Sequence, residues 1–79
     1  MSLTWVESAR SELRAIDHKS ARIIVLTVLH YANSGEGEVK ALSGQFEYCF
    51  RLRIGDHRVS FLISPAEIIV LGIRRRSDA

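Results

Sequence analysis

The sequence predicts an α+β domain in the order β-α-α-β-β-β, a helical hairpin packed on one face of a small, mostly antiparallel four-stranded sheet. Three observations predict it. Residues 46–63, FEYCFRLRIGDHRVSFLI, alternate apolar and polar on either side of Gly55-Asp56, as two strands joined by a tight turn do. Residues 20–32 form an apolar run with no turn signal, too long for an ordinary strand and suited to a helix. Residues 68–73, IIVLGI, are apolar on both faces, as in a covered central strand.

Taken in order, Leu3 to Val6 is a short β-prone segment, Leu3 and Trp5 on one face and Thr4 and Val6 on the other. Ala9, Leu13 and Ile16 then fall on one helical stripe, with Arg10, Glu12 and Arg14 on the remaining sides. Thr4 with Glu7, or Ser8 with Ser11, would cap this helix. Asp17 is the expected N-cap of a second helix. That helix places Ala21, Ile24, Val25, Val28 and Leu29 on one face, flanked by Ile23, Leu26 and Tyr31. So wide an apolar face predicts a helix sandwiched between the first helix and the sheet. Asn33-Ser34-Gly35 ends it, because Asn and Gly tolerate the left-handed conformation of a C-cap. Residues 36–44 read as a connection, with a brief extended piece at Val39-Lys40-Ala41-Leu42 and Leu42 plugging the edge of the core.

In the hairpin, Phe46, Tyr48, Phe50, Leu52 and Ile54 point inward, and Gln45, Glu47, Cys49, Arg51 and Arg53 outward. A two-residue turn with Gly first suits type II′. It pairs Ile54 with His57, Arg53 with Arg58, Leu52 with Val59, Arg51 with Ser60 and Phe50 with Phe61. Sliding the register by one residue would turn every apolar side chain to the wrong face. The same register sets Arg53 against Arg58 with Arg51 alongside, and only Glu47 nearby to neutralise them. Like charges directly opposite on a sheet are destabilising. Either the three arginines reach into water, where screening weakens the repulsion, or the face is made for an anion. Beyond the turn at Ser64-Pro65, the side on which Arg74 lies depends on the parity of the loop. An odd loop sends Ile69, Leu71 and Ile73 to the helices and Arg74 to the side of Arg58; an even loop reverses this.

The 79 residues make one small domain, residues 1–79, with no repeat and no linker. No apolar run is long enough to span a bilayer. The start MSLTWVESAR lacks the basic and apolar regions of a signal peptide, and the single Cys49 cannot form an internal disulfide. A cytoplasmic protein without membrane contact is expected. Charge is uneven: five basic and six acidic residues precede Phe50, whereas six basic and two acidic lie between Arg51 and Arg76. This asymmetry suits a polyanionic partner, nucleic acid or an acidic protein segment. His18 and His30 have no carboxylate or cysteine cluster around them, so neither a metal site nor a cofactor is expected. Cys49 shares the arginine face without a histidine partner and reads as a small, semi-buried residue.

Order and local wording together carry a resemblance. An opening strand with Trp5-x-x-x-Ala9, a helix pair, Val39-Lys40-x-Leu42-x-Gly44, Phe50-Arg51-Leu52-Arg53-Ile54-Gly55-Asp56-His57-Arg58-Val59 and a closing Val-Leu-Gly strand running into arginines resemble the RelE/ParE toxin superfamily of bacterial toxin–antitoxin systems. The resemblance covers nearly the whole chain and implies the RelE-like microbial-RNase-type fold. It implies a toxin that enters the ribosome and cuts mRNA without a metal, the 2′-hydroxyl attacking the adjacent phosphate. By the resemblance Arg51, Arg53, Arg58 and Arg74 are the catalytic basic residues, suited to forked phosphate contacts and transition-state charge. Lys40, Arg75 and Arg76 are candidate substrate contacts. The sequence departs from the pattern where RelE-like enzymes carry a proton-transferring tyrosine or histidine past the C-terminal arginine, for here Ser77-Asp78-Ala79 follows. Arginine is a poor general base, its pKa lying above ~12. Either final residues are lacking, or His57 or Tyr48 serves, or the protein is weakly active; both candidates lie on the apolar parity, where packing is the more usual role.

The resemblance further implies a cognate antitoxin, docked on the basic face or on an apolar rim near Leu62 and Ile68. It leaves the target open between the ribosome with its mRNA, as for RelE, and DNA gyrase, inhibited by binding, as for ParE. A catalytically weak module gripping nucleic-acid phosphates is the third reading.

Overall fold

The computed structural model describes residues 2–41 and 49–75. In it β1 (Ser2–Trp5), α1 (Glu7–Ala15), α2 (His18–Ser34), β2 (Glu38–Ala41), β3 (Cys49–Ile54), β4 (His57–Ile63) and β5 (Glu67–Arg75) follow one another. The sheet has five strands in the order β1-β5-β4-β3-β2. β1 runs parallel to β5, and every other pairing is antiparallel. The predicted α+β architecture is therefore present with one strand more than expected. Glu38–Ala41 is a strand paired along its full length with β3, Val39 turned to the core and its neighbours outward. The inward positions of Phe46 and Tyr48, the plug at Leu42, the neutralising Glu47 and the tail from Arg76 lie outside the described residues.

The core forms where the helices meet one face of the sheet. Ile24 and Val28 of α2 and Ala9 of α1 pack on Leu52, Ile54, Val59, Phe61, Ile68, Val70 and Ile73. The Phe61 ring lies 5.3 Å from Tyr31 and 5.8 Å from Phe50, centroid to centroid. Burying a side chain of this size stabilises a fold by about 1.5–3 kcal/mol.

The helix signals divide. Asp17 caps α2 as expected, its Oδ2 accepting from the Ser20 N–H at 3.0 Å. Gly35 closes α2 at φ 76°, the left-handed region that glycine enters without cost. None of the predicted caps serves α1, which starts after Val6 with no side-chain hydrogen bond. The Thr4 hydroxyl instead donates to Glu67 across the β1–β5 pair, at 2.6 Å. α2 touches both α1 and the sheet, as expected, but its apolar face is wider than those contacts. α1 lies chiefly over β5 rather than along α2, and Ile23, Leu26 and Leu29 remain 50%, 55% and 42% exposed.

The hairpin register is the predicted one at every pair named above. Gly55 has φ 57° and Asp56 does not share the positive φ, so the turn belongs to the type with glycine at its first central position. Four residues, Ser64 to Glu67, lie between the paired Ile63 and Ile68, the last of them already in β5. That even loop sends Ile68 and Val70 to the core. The register then shifts, Phe61 facing Val70 and Ser60 facing Gly72. Leu71 is the extra residue of a β-bulge, which reverses the alternation beyond it. Ile73 consequently returns to the core, and Arg74 faces Arg58. Neither parity alone describes β5.

Candidate nucleic-acid interface

The face of the sheet away from the helices carries two rows of side chains, because residues directly opposite on neighbouring strands share a face. The first row crosses β2, β3, β4 and β5 as Glu38, Arg53, Arg58 and Arg74. The second crosses the same strands as Lys40, Arg51, Ser60 and Gly72. Five cations thus gather on four adjacent strands. Glu38, Lys40, Arg51, Arg53 and Arg58 line a depression of about 350 Å³. Cys49 lies on the same face and is buried, 6% exposed.

Charge on this face is weakly compensated. Among the described residues no carboxylate oxygen lies within 4.0 Å of Arg51, Arg53 or Arg58. Arg74 approaches Glu12 at 3.8 Å while its side chain stays 71% exposed; so open a pair contributes about 0–1 kcal/mol. Glu12 has a second task that its place on the polar side of α1 did not reveal. Its Oε1 accepts from the Ile73 N–H at 3.1 Å. β1 stops pairing with β5 at Val70, so the edge of β5 beyond that point is open, and α1 covers it with a carboxylate. The signal in the sequence was faint: one of two acids on α1, far ahead of a strand that ends in arginines.

Four of the sequence-predicted residues, Arg51, Arg53, Arg58 and Arg74, are brought together, and Lys40 joins them from β2. His57 and Arg75 are not. They face each other across β4 and β5 on the helix side of the sheet. There they line a separate cavity of about 350 Å³ with Asp17 and Ser20, at the corner between the helices. The Asp17 carboxyl is held below its ordinary range, first by the Ser20 N–H it accepts and least by the charge of His57. Tyr48 and Arg76 lie outside the described residues. The expected docking rim fails at one end, since Ile68 is in the core, 4% exposed. Among the described residues the large exposed apolar side chains lie instead on α2. No group of three or more potential metal ligands occurs among the described residues, and among them no helix is long and apolar enough to cross a membrane.

No protein-family model matches the sequence, and no curated protein matches it. Solved structures do. The chain is similar to the toxin–antitoxin complex RelBE2 of Mycobacterium tuberculosis, at 17% identity and a TM-score of 0.83 over 95% of this chain and 96% of that one. It is similar to the archaeal RelE–RelB complex of Pyrococcus horikoshii, at 18% identity and a TM-score of 0.80 over 99% and 97%. The YoeB/ParE toxin of Agrobacterium tumefaciens matches at 17% identity and a TM-score of 0.77 over 95% and 98%. Two helices on one face of this mixed sheet, shared along almost the whole of each chain, give the protein the RelE/YoeB toxin fold.

Proposed function

We propose that the protein is the toxin of a type II toxin–antitoxin pair and a ribosome-dependent mRNA endonuclease acting in the cytoplasm. The observation that carries this reading is the row Arg53–Arg58–Arg74. Three arginines in register across three strands set like charges on neighbouring positions, an unfavourable arrangement in the free protein that suits a phosphate gaining charge during reaction. Arg51 and Lys40 extend the cationic surface along the strands, as a backbone of successive phosphates requires. In this reading Arg53 and Arg58 hold the scissile phosphate, Arg74 faces the departing oxygen, and Arg51 and Lys40 hold the flanking phosphate. Arg75 would touch substrate only beyond this face.

The partner of such a toxin is an antitoxin, and α2 offers it a surface. Ile23, Leu26 and Leu29 form an exposed stripe bordered by His18, Lys19, Arg22 and His30, and α2 contains no acidic residue. An acidic amphipathic helix matches that surface in both polarity and charge. Leu26→Asp and Ile23→Asp are expected to weaken binding of an acidic antitoxin helix. Undiminished binding would return docking to the basic face.

The test is primer extension on an mRNA incubated with the protein, with and without translating ribosomes. Cuts that need ribosomes and disappear with Arg58→Ala support the reading. Absence of cuts together with inhibited gyrase supercoiling would replace it with the gyrase-binding one. Salt-sensitive RNA binding with neither effect would leave a phosphate-gripping module.

A further inference from the structure

Arg74 differs from the other arginines of its row in standing beside an open edge. Arg58 faces it from β4 on one side. On the other side β1 has stopped pairing at Val70, four residues earlier. A like charge therefore pushes the Arg74 guanidinium outward, with no neighbouring strand to hold it. Glu12 of α1 occupies that open side. Its Oε1 accepts from the Ile73 N–H at 3.1 Å, and its Oε2 lies 3.8 Å from Arg74 Nη1. Gly72 leaves room for this arrangement. A Cβ at residue 72 would stand 3.0 Å from Glu12 Oε1, and residue 72 belongs to the outward row that also carries Lys40 and Arg51. The carboxylate of a helix on the core side thus reaches round the edge of β5 toward the arginine face, into space that a side chain at 72 would narrow. The Glu12 side chain is 31% exposed, and that of Arg74 71%. The carboxylate is anchored, while the guanidinium stays open to a substrate.

Resting on the ribonuclease reading above, we propose that Glu12 is a positioning residue of the cleavage site, holding the Arg74 guanidinium where it meets the departing oxygen. In the free protein the pair is bathed in water and weak. RNA lying on the face excludes that water, and the attraction between the two charges grows as the local dielectric falls. The Ile73 N–H fixes the carboxylate before RNA arrives, so Glu12 itself needs no further ordering when the site fills. Glu12 touches no reacting atom. As a negative charge beside a phosphate it opposes binding; as the brace of Arg74 it favours reaction. These two effects have opposite signs, a combination that a purely structural residue does not produce.

The test is Glu12→Gln. Glutamine keeps an oxygen that accepts the Ile73 N–H and lacks the charge that holds Arg74, and urea unfolding checks that the edge remains covered. Two quantities are measured: the single-turnover cleavage rate of a ribosome-bound mRNA, and the equilibrium binding of a short RNA made non-cleavable by a 2′-deoxy nucleotide. The rate is expected to fall about 10- to 100-fold, as for a misplaced catalytic group, while the RNA binds as tightly as to wild type or more tightly. In an Arg74→Ala background the same change should leave the rate where Arg74→Ala alone puts it, because the two residues act as one unit. That comparison holds even if Glu12→Gln loses stability, since a structural defect slows both backgrounds alike. A rate equal to wild type, a rate that rises together with binding, or an equal loss in the Arg74→Ala background overturns the assignment and leaves the ribonuclease reading intact. Absence of cleavage by the wild type itself overturns that reading, and the assignment with it.

Discussion

Arg58 is the middle member of a row of like charges, and replacing it should make the protein more stable. Its neighbours in register are Arg53 on β3 and Arg74 on β5. Long side chains splay, so the charges stand farther apart than the strands. At about 7 Å in water two unit charges repel by roughly 0.6 kcal/mol, and two such neighbours give about 1 kcal/mol. Cross-strand pairs of like charge fall in the same range, about 0.2–1 kcal/mol each. Arg58→Gln removes both repulsions and keeps most of the stem that covers the sheet. In low salt the variant should unfold about 1 kcal/mol later in urea, equivalent to about 4–8 °C in a domain of this size. In 1 M salt the screening length shrinks to about 3 Å and the advantage should nearly vanish. A short RNA oligonucleotide should reverse the order, because a ligand at 100 times its Kd stabilises the wild type by about 2.7 kcal/mol and the variant far less. An Arg58→Gln protein less stable than wild type by the same amount at both salt concentrations would refute the argument. The arginine would then be held by packing.

Three further outcomes follow from single contacts. Glu12→Ala uncovers the Ile73 N–H and should cost about 1–3 kcal/mol in urea unfolding, with amide exchange at Ile73 accelerated first. Asp17→Ala removes the α2 cap. The Asp17 carboxyl is depressed in the folded state, so its contribution is present above the unfolded value and lost as pH falls through the folded one. Thermal melts should therefore show the gap between wild type and variant at neutral pH closing on the acid side of the ordinary aspartate range. Gly37→Ala would place a Cβ 2.8 Å from Leu52 Cδ1 and 3.4 Å from Tyr31 Cδ1. Leu52 is fully buried, so this crowding should cost about 1–3 kcal/mol, read as a lower urea midpoint with an unchanged slope.

The hairpin was legible because alternation and turn length constrain each other. A two-residue Gly-Asp turn leaves one register, and that register alone keeps Leu52 and Val59 together, so Arg53 opposite Arg58 could be named from residues alone. The side on which Arg74 lies could not. It depends on an extra residue at Leu71, and in a stretch apolar on both faces no polar side chain marks where the alternation reverses. β2 showed only as a brief extended piece within a connection, because its two helix-side positions, Val39 and Ala41, are too few to set up a pattern. The polar side of α1 looked solvated, yet Glu12 lies over an open strand edge that no local sequence rule reveals. The breadth of the apolar face on α2 suggested contact with both α1 and the sheet; both contacts form, yet among the described residues Ile23, Leu26 and Leu29 stay exposed beyond them.

The parallel pairing of β1 with β5 also has a consequence in time. β1 is synthesised well before β5, the strand it pairs with, and must wait for it. Pairings between segments far apart in the chain form slowly. The Arg53–Arg58 pair needs only its own hairpin, but Arg74 arrives with the strand that also completes the sheet. Assembly of the cationic row and completion of the fold are thus a single late event. A nascent chain from which β5 has not yet emerged would carry an unfinished cationic row.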